Sequence, residues 1–239
     1  MIIIPAINLK NGYCVKLSPG QFHDAEVIRS SVGEIAQNWE KSGATFLHLV
    51  DVDGAIVGHT SNAEAIKKVL NSTSVPVEVG GGVRSIQSIE NLLNLGAFRV
   101  VIGTKAVGNP GFVRDAISNF GADKIAISID AKNGMVAVEG WGKISSYKAL
   151  DLAVEMRDLG IKTIIYTDIS AVYGTRQPVN MDYVRELLKV NGLNVIVNGD
   201  IISMKSLEQL NETGVYGVIA DRALYDKKVE LSDAINMFK

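Results

Sequence analysis

The feature that most constrains the fold of this chain is an internal repeat. The segment Val77–Thr104, which reads VEVGGGVRSIQSIENLLNLGAFRVVIGT, has a counterpart at Val195–Ala223, which reads VIVNGDIISMKSLEQLNETGVYGVIADRA. Gly81 aligns with Gly199, and the offset between the copies is 118 throughout. Each copy has the pattern of an apolar strand, a glycine-containing turn, an amphipathic helix and a second strand. A repeated supersecondary unit indicates a fold assembled from similar parts.

Two further pairs of segments repeat in the same order. Ile4–Gly12 (IPAINLKNG) matches Ala126–Gly134 (AISIDAKNG) at an offset of 122, and both end in a Lys-Asn-Gly turn. Leu49–Asp51 matches Tyr166–Asp168 at an offset of 117. Three matched pairs in one order predict that the chain consists of two similar halves.

The chain contains eight strand-helix units. Short runs rich in Ile and Val are typical of parallel strands covered on both faces, and they predict strands near residues 2–8, 45–51, 76–80, 98–103, 124–130, 162–168, 193–198 and 216–221. Helical periodicity predicts helices near residues 32–42, 61–71, 86–95, 111–120, 146–159, 181–191, 204–213 and 231–238.

This arrangement predicts an α/β fold, a single (β/α)8 TIM barrel over residues 1–239 built from half-barrels at about 1–122 and 123–239. No Pro-rich or low-complexity linker divides the chain, which favours one domain. A doubly wound open sheet is the alternative. Its dinucleotide-binding fingerprint is absent, and two repeated halves favour the closed barrel.

Composition limits the classes of function. The 239 residues are 47% hydrophobic, enough for a sizeable core, and the net charge of −2 provides no basic face for nucleic acid and no polybasic membrane anchor. No apolar run reaches eighteen residues, and the first residues lack the charged start of a signal peptide. The single cysteine, Cys14, excludes an internal disulfide. We therefore expect a cytoplasmic protein without nucleic-acid or membrane partners, and we also expect a monomer.

The three histidines do not predict a metal site. His23, His48 and His59 lack the spacing of metal ligands. His48 alternates with Phe46 and Val50 along a predicted strand, which favours a hydrogen-bonded interior side chain over a ligand.

Polar and glycine residues follow the predicted strands. In a (β/α)8 barrel the functional residues gather at the carboxyl ends of the strands. The backbone N–H groups of two neighbouring glycine-containing loops can bind an anion such as phosphate, although the same glycines also serve ordinary turns. The residues at these strand ends are Asn8, Asp51, Gly80, Gly81, Gly82, Gly103, Thr104, Asp130, Thr167, Asp168, Gly199 and Asp221.

Seven motifs along the chain carry a family resemblance: PAINLKNG, LHLVDVDGA, VGGGVRS, RVVIGTKAV, VEGW, IIYTDIS and GVIADRALY. Together they resemble the HisA isomerase family, the phosphoribosylformimino-aminoimidazole carboxamide ribotide isomerases of histidine biosynthesis, over essentially the whole chain. A sister family of cyclases shares the half-barrels, but the Trp141 motif and the Gly-Gly-Gly-Val-Arg sequence favour the isomerase.

The resemblance implies a reaction. The family converts an aminoaldose to an aminoketose, an Amadori rearrangement, on an aminoimidazole carboxamide ribonucleotide that carries a phosphate at each end. It does so without a metal or an organic cofactor. We therefore expect a sugar-phosphate isomerase in which each half of the barrel holds one phosphate.

The resemblance also implies catalytic roles. Asp130 matches the general acid, and Thr167 and Asp168 are expected to orient the substrate. Asn8 stands at the position of the aspartate that acts as base. An amide oxygen is too weakly basic to replace a carboxylate, so Asn8 can position substrate only through hydrogen bonds. A chain that lacks its base is expected to react more slowly by orders of magnitude.

The phosphate-binding residues implied by the resemblance fall into two groups. The first-half phosphate loops contain Gly81, Gly82, Gly103 and Thr104, with Arg84 and Trp141 holding the middle of the substrate. The remaining candidates lie on the other loops of the barrel, and they are Gly20, Gly174, Gly199, Ser203 and Arg222.

The second-half loops depart from the family pattern. Asp200 and Asp221 stand where glycines are usual, and they place negative charge near an expected phosphate, at a cost of several kcal/mol in a low-dielectric cleft. The loop at residues 171–175 is one residue longer and lacks the usual acid. Lys16 replaces a common arginine and loses its bidentate fork.

Three interpretations follow from these departures. The first is an isomerase whose reaction is impaired. The second is a diverged or non-catalytic barrel that binds a phosphosugar with only the first-half phosphate site intact. The third is a structural protein that uses the barrel as a scaffold, since a fold does not fix a function. The retained Gly80–Gly82 segment disfavours the third, because a scaffold has no need of it.

Overall fold

The computed structural model describes residues 1–18, 21–138, 141–171, 178–199 and 203–239, and leaves out the side chains of residue 18 and residues 21–24. The strands of this part of the chain are β1 (Ile2–Lys10), β2 (Tyr13–Ser18), β3 (Gln21–Val27), β4 (Leu47–Asp51), β5 (Val77–Gly80), β6 (Arg99–Ile102), β7 (Ile125–Lys132), β8 (Met135–Val138), β9 (Lys143–Lys148), β10 (Thr163–Asp168), β11 (Asn194–Asn198) and β12 (Gly217–Ala220).

Eight of these strands form a closed parallel barrel. The order is β1, β4, β5, β6, β7, β10, β11 and β12, and the pairing of β12 with β1 closes the ring. The prediction of an α/β (β/α)8 barrel is confirmed. Each barrel strand lies within two residues of its predicted bounds.

Helices cover the outside of the barrel. They are α1 (Val32–Lys41), α2 (Val52–Val57), α3 (Ala63–Leu70), α4 (Ile86–Asn94), α5 (Pro110–Phe120), α6 (Ala149–Asp158), α7 (Met181–Leu188), α8 (Met204–Thr213), α9 (Arg222–Tyr225) and α10 (Leu231–Met237). Several begin at side chains that satisfy free backbone N–H groups. Ser31 and Ser85 form capping boxes, and Asn109 caps a helix whose first residue is Pro110.

Two β-hairpins were missed by the sequence analysis. β1 turns back into β2, and β7 turns back into β8, through the two Lys-Asn-Gly turns. Asn11 and Gly12 have φ angles of 50° and 81°, and Asn133 and Gly134 have 51° and 75°. Positive φ at both central residues is typical of a two-residue hairpin turn, for which Asn-Gly is a preferred sequence.

The prediction of a helix over residues 146–159 is wrong at its start. Residues 146–148 belong to β9, which pairs with β8 and places Lys148 opposite Met135. Tyr147 is half-buried between two exposed lysine and serine neighbours, the alternation of a strand. The helix itself begins only at Ala149, whose backbone N–H donates to Gly134 O.

Side chains of the barrel strands alternate between two cores. The outer core lies between strands and helices and contains the larger set of buried aliphatic residues. The inner core fills the barrel itself, and its members are Ile4, Ala6, Val101, Ala126, Ile165, Ile196 and Ile219. Because successive strand residues point to opposite faces, the next inward positions towards the carboxyl end of each strand form the mouth of the barrel.

A charged cluster lies inside the barrel. Glu78 is fully buried, and its carboxylate accepts hydrogen bonds from Arg99 Nε at 2.9 Å and Arg99 Nη2 at 2.5 Å. His48 Nδ1 lies 2.7 Å from the other carboxylate oxygen of Glu78, and Arg99 Nη1 donates to Thr163 Oγ1 at 3.1 Å. Our prediction of a hydrogen-bonded interior His48 is confirmed.

The cluster keeps Glu78 ionised despite its burial. Burial acts to raise the pKa of Glu78, but the hydrogen bond and charge of His48, together with Arg99, outweigh it and lower the pKa. The ionised carboxylate therefore stabilises the fold above the ordinary glutamate pKa of about 4.3. That contribution is lost as the pH falls through the lowered value in the folded state.

We expect Arg99→Met to destabilise the chain by about 3–5 kcal/mol at pH 7, because it leaves the Glu78 charge buried without its guanidinium partner. Urea unfolding measures the change. The double variant Glu78→Gln with Arg99→Met is the control, since it removes both charges and should recover part of the loss. An Arg99→Met variant whose free energy of unfolding lies within about 1 kcal/mol of the parent's would contradict this account.

Candidate functional site

Each barrel strand contributes one residue to the mouth, at or near its carboxyl end, and all of these residues except Val50 are polar or glycine. In ring order these are Asn8, Val50, Gly80, Gly103, Asp130, Thr167, Asn198 and Asp221. A pocket opens at this mouth, and its lining comes from the loops after several strands. It includes Leu17, His48, Val50, Gly80, Gly81, Gly82, Arg84, Gly103, Thr104, Lys105, Ser128, Asp130, Trp141, Thr167 and Asn198.

Asp130 is held in the pocket by two side chains. Ser128 Oγ donates to Asp130 Oδ1 at 2.9 Å, and Trp141 Nε1 donates to Asp130 Oδ2 at 2.8 Å. Trp141 has a φ of 70°, which is uncommon for a bulky residue and costs backbone energy. The hydrogen bond holds the Trp141 indole beside the Asp130 carboxylate, and both side chains line the same pocket.

The glycines after β5 are required by close backbone packing. Gly81 and Gly82 have φ angles of 103° and 75°, and a Cβ at these positions would lie 2.1 Å from Asp51 O and 2.4 Å from Gly54 O. Gly103, after β6, differs, since a Cβ there would meet nothing within 4 Å. The backbone at Gly103 is thus open to a ligand, whereas Gly81 and Gly82 pack against the loop after β4.

The carboxylates of Asp51 and Asp168 brace the loops that follow their strands. Asp51 accepts hydrogen bonds from the backbone N–H groups of Gly54, Ser61 and Asn62 and from the Asn62 side chain, all at 2.7–3.0 Å.

Asp168 holds its own loop in the same way. Asp168 accepts from the backbone N–H groups of Ser170 and Asn180, both at 3.0 Å. Asn62 and Asn180 each precede the next helix, so the two halves of the barrel repeat one bracing device. Thr167, which precedes Asp168, is buried and lines the pocket.

Hydrogen bonds connect neighbouring strand ends on the far wall of the mouth. Asn198 Nδ2 donates to Thr167 Oγ1 at 3.4 Å. Asn8 Nδ2 donates to Asp221 Oδ2 at 2.9 Å, which joins the ends of β1 and β12. Asn8 is buried, whereas Asp221 is only half-buried. The structure thus brings together two residues that the sequence analysis considered separately.

Arg222 lies at the outer rim of the mouth. Its Nε donates to Asp226 Oδ2 at 3.2 Å and its Nη1 to Leu17 O at 3.4 Å. Lys16 Nζ binds the same carboxylate at 3.0 Å and also Glu26 at 2.9 Å. Burial acts to raise the pKa of Asp226, but hydrogen bonds from Lys16 and Arg222 outweigh it and lower that pKa. Both cations are therefore partly neutralised before any phosphate binds.

The other second-half candidates are described in part. Ser203 is the N-cap of α8, and its Oγ accepts from Ser206 N at 3.2 Å. A Cβ at Gly199 would lie 2.5 Å from the Val179 side chain, so this glycine is required by packing. Gly20, Gly174, Asp200 and most of the lengthened loop at 171–175 lie outside the described residues.

Four polar pocket residues were missed as site candidates: His48, Lys105, Ser128 and Asn198. Ser128 lies two residues before Asp130 on the same strand, so the two-residue period of a strand could have identified it. Asn198 is the last residue of β11, and the strand-end rule applied to Asp130 selects it too.

Searches for two other kinds of site gave nothing in the described part of the chain. Its His, Cys, Asp and Glu side chains form no group of three or more that could hold a metal ion. No helix among the same residues combines the length and the apolar character needed to span a bilayer.

Comparison with known proteins gives a family match over almost the whole chain. Residues 2–230 match the model of a family described as "Histidine biosynthesis protein". Its relatives include proteins named 1-(5-phosphoribosyl)-5-((5-phosphoribosylamino)methylideneamino)imidazole-4-carboxamide isomerase. The protein of Lachnoclostridium phytofermentans is 53% identical over 239 residues, with all of both chains covered.

Two further relatives with this name have a lower sequence identity to this chain. The protein of Syntrophomonas wolfei is 42% identical over 238 residues, which cover 98% of this chain and 97% of the relative. The protein of Alkaliphilus metalliredigens is 44% identical over 231 residues and covers 97% of each chain. The likeness therefore extends through both halves of the barrel.

We expect Gly82→Ala to destabilise the fold by about 2 kcal/mol or more, because its Cβ meets Gly54 O and its φ is positive. Gly103→Ala is the matched control, since its Cβ has open space, and it should unfold near the parent's temperature. Thermal unfolding of both variants measures the contrast. Equal losses in the two variants would show that packing does not distinguish these loops.

Proposed function

The chain belongs to the histidine biosynthesis protein family, and we propose from that premise that it catalyses the isomerisation named in its relatives. The observation that carries the proposal is that one pocket places the Asp130 carboxylate and the Trp141 indole beside the open backbone at Gly103. The substrate would be the doubly phosphorylated aminoimidazole carboxamide ribonucleotide, and the reaction an aminoaldose-to-aminoketose rearrangement.

Asp130 is proposed as the general acid. The rearrangement begins when a proton is delivered to the ring oxygen of the ribosylamine, which opens the ring to a protonated imine. The carboxyl group of Asp130 faces the pocket, and Ser128 and Trp141 fix its two oxygens. A group held from both sides meets the substrate in one orientation, which lowers the entropic part of the barrier.

The first phosphate is proposed to bind at the loops after β5 and β6. The backbone at Gly103 is open, and Thr104 follows it into a short helical turn. Arg84 and Lys105 line the same pocket and supply positive charge. Backbone N–H groups and cations are the usual ligands of a phosphate group. Thr167 and Asn198 are proposed to hydrogen-bond the middle of the substrate from the opposite wall.

The second phosphate is proposed to bind near Ser203 and Arg222. Ser203 begins α8, and a helix N-terminus attracts an anion. Arg222 and Lys16 flank this side of the mouth, and their shared partner Asp226 holds them there. Gly20, Gly174 and Gly199 are retained as candidate neighbours on sequence grounds.

We further propose that the protein acts as a monomer in the cytoplasm. Cys14 is a free, buried cysteine, and burial raises its pKa to about 11, which suits a thiol kept reduced. No cofactor is proposed for the reaction.

The test of this function is conversion of the doubly phosphorylated aminoaldose to the aminoketose, followed by chromatography. We expect the wild-type chain to convert it, and Asp130→Asn to lower kcat by about 100-fold to 10,000-fold. Asp115→Asn, an exposed carboxylate in α5, is the control and should keep the wild-type rate. Binding of the substrate by the wild-type chain without any conversion would favour the non-catalytic phosphosugar-binding barrel instead.

A further inference from the structure

The hydrogen bond between Asn8 and Asp221 bears on a step that the proposed function leaves without a residue. After ring opening, a base must remove the proton from C2 of the protonated imine. Asn8 cannot do so, because an amide oxygen is too weakly basic. A carboxylate is required at the mouth of the barrel, on the wall that faces Asp130.

The other carboxylates described near the mouth make contacts of a different kind. Asp51 and Asp168 brace loops through backbone N–H groups. Glu78 lies deeper and is paired with Arg99. Asp226 is bound by Lys16 and Arg222 at the outer rim. Each of these carboxylates holds a cation or a loop, whereas Asp221 holds the Asn8 amide, at the position that the resemblance assigns to the base.

The position of Asp221 in the ring of strands is suitable. Asn198, the last residue of β11, and Val50, the residue before the last of β4, both line the pocket. The two strands between them in the barrel are β12 and β1, whose ends carry Asp221 and Asn8. Asp221 therefore lies on the same ring, three strands from Asp130 and so across the mouth from it.

The orientation of Asp221 is also unusual for its place in the chain. It is the N-cap residue of α9, where an aspartate commonly accepts a hydrogen bond from its own helix. Its side chain makes no such bond, and Oδ2 instead accepts from Asn8 Nδ2 at 2.9 Å. The negative charge of Asp221 acts on two neighbouring side chains. Burial raises the pKa of Cys14 to about 11 and that of Tyr225 well above its usual value, and the charge of Asp221 adds to both effects.

We infer that Asp221 is the catalytic base of this chain and that Asn8 is the residue that positions it. The inference rests on the proposed isomerase function. Compared with the pattern that the resemblance implies, the carboxylate has moved from the end of β1 to the end of the neighbouring strand β12, and an amide has taken its former place.

The proton transfer balances without any co-reactant. Asp221 takes the proton from C2, and the C–H electron pair becomes the C1=C2 double bond while the imine electron pair returns to nitrogen. The protonated Asp221 then returns a proton to C1 as the C2 hydroxyl loses its own, which gives the ketone. Asn8 holds the carboxylate through its N–H and remains chemically unchanged.

Asp221→Asn tests the inference, with Asp115→Asn as the control. We expect the variant to fold, to keep KM within a few-fold of the wild type, and to lose about 100-fold or more in kcat. With substrate deuterated at C2, we expect a larger isotope effect in the variant, because proton removal becomes rate-limiting. A structural role alone would not produce that change.

The double variant Asn8→Asp with Asp221→Asn makes the test decisive. It exchanges the carboxylate and the amide and preserves a hydrogen bond between the two positions, so we expect it to recover at least about tenfold in kcat over Asp221→Asn. An Asp221→Asn variant at the wild-type rate overturns the inference. A folded double variant with no recovery of kcat also overturns it. Neither result contradicts the isomerase function itself. A wild-type chain that converts no substrate overturns the proposed function itself.

Discussion

The structure depends on the two-residue period of parallel strands in a closed ring. Once β7 pairs with β10 and β12 pairs with β1, alternate side chains of every strand must point into the barrel. Aliphatic residues fill most of these inward positions, and the charged cluster around Glu78 occupies one side. The next inward positions, towards the carboxyl ends of the strands, are occupied by Asp130, Thr167, Asn8 and Asp221. The geometry of the candidate site is therefore a consequence of how the barrel is closed.

The loops of the two halves are held by the same chemistry, but the two halves do not use their glycines alike. Asp51 and Asp168 brace equivalent loops, and both Lys-Asn-Gly turns adopt the same backbone conformation. In contrast, Gly81 has a positive φ and packs on Asp51, whereas its aligned partner Gly199 has no positive φ and packs on Val179. The repeat therefore preserves the braced loops of the mouth more strictly than its glycine loops.

The barrel could be predicted from the sequence because its signals are local. Runs of Ile and Val and the helix start residues determine the strands and helices, and the repeat supports their closure. The hairpins were missed because their returning strands are short: β2 has six residues and β8 only four, too few for a clear alternating pattern. The Asn-Gly turns did carry the needed signal.

The site was predictable residue by residue but not as a set of contacts. Strand ends identified Asn8, Asp130 and Asp221, since their position follows from the period of the barrel. The pairing of Asn8 with Asp221 depends on the register between β1 and β12 and on a rotation of the Asp221 backbone at φ −119° and ψ −108°. Neither can be read from one sequence. For the same reason, the sequence analysis interpreted Asp221 only as a negative charge unfavourable to phosphate binding.

The measurement that tests the account most directly is calorimetry of the doubly phosphorylated substrate and of ribose 5-phosphate, with the Asp130→Asn chain so that the ligand is not consumed. The account places one phosphate on each side of the mouth. It therefore predicts that the full substrate binds at least about 100-fold more tightly than the single sugar phosphate, a difference of about 2.7 kcal/mol. Equal affinities for the two ligands would contradict it, because they would mean that only one side of the barrel recognises phosphate.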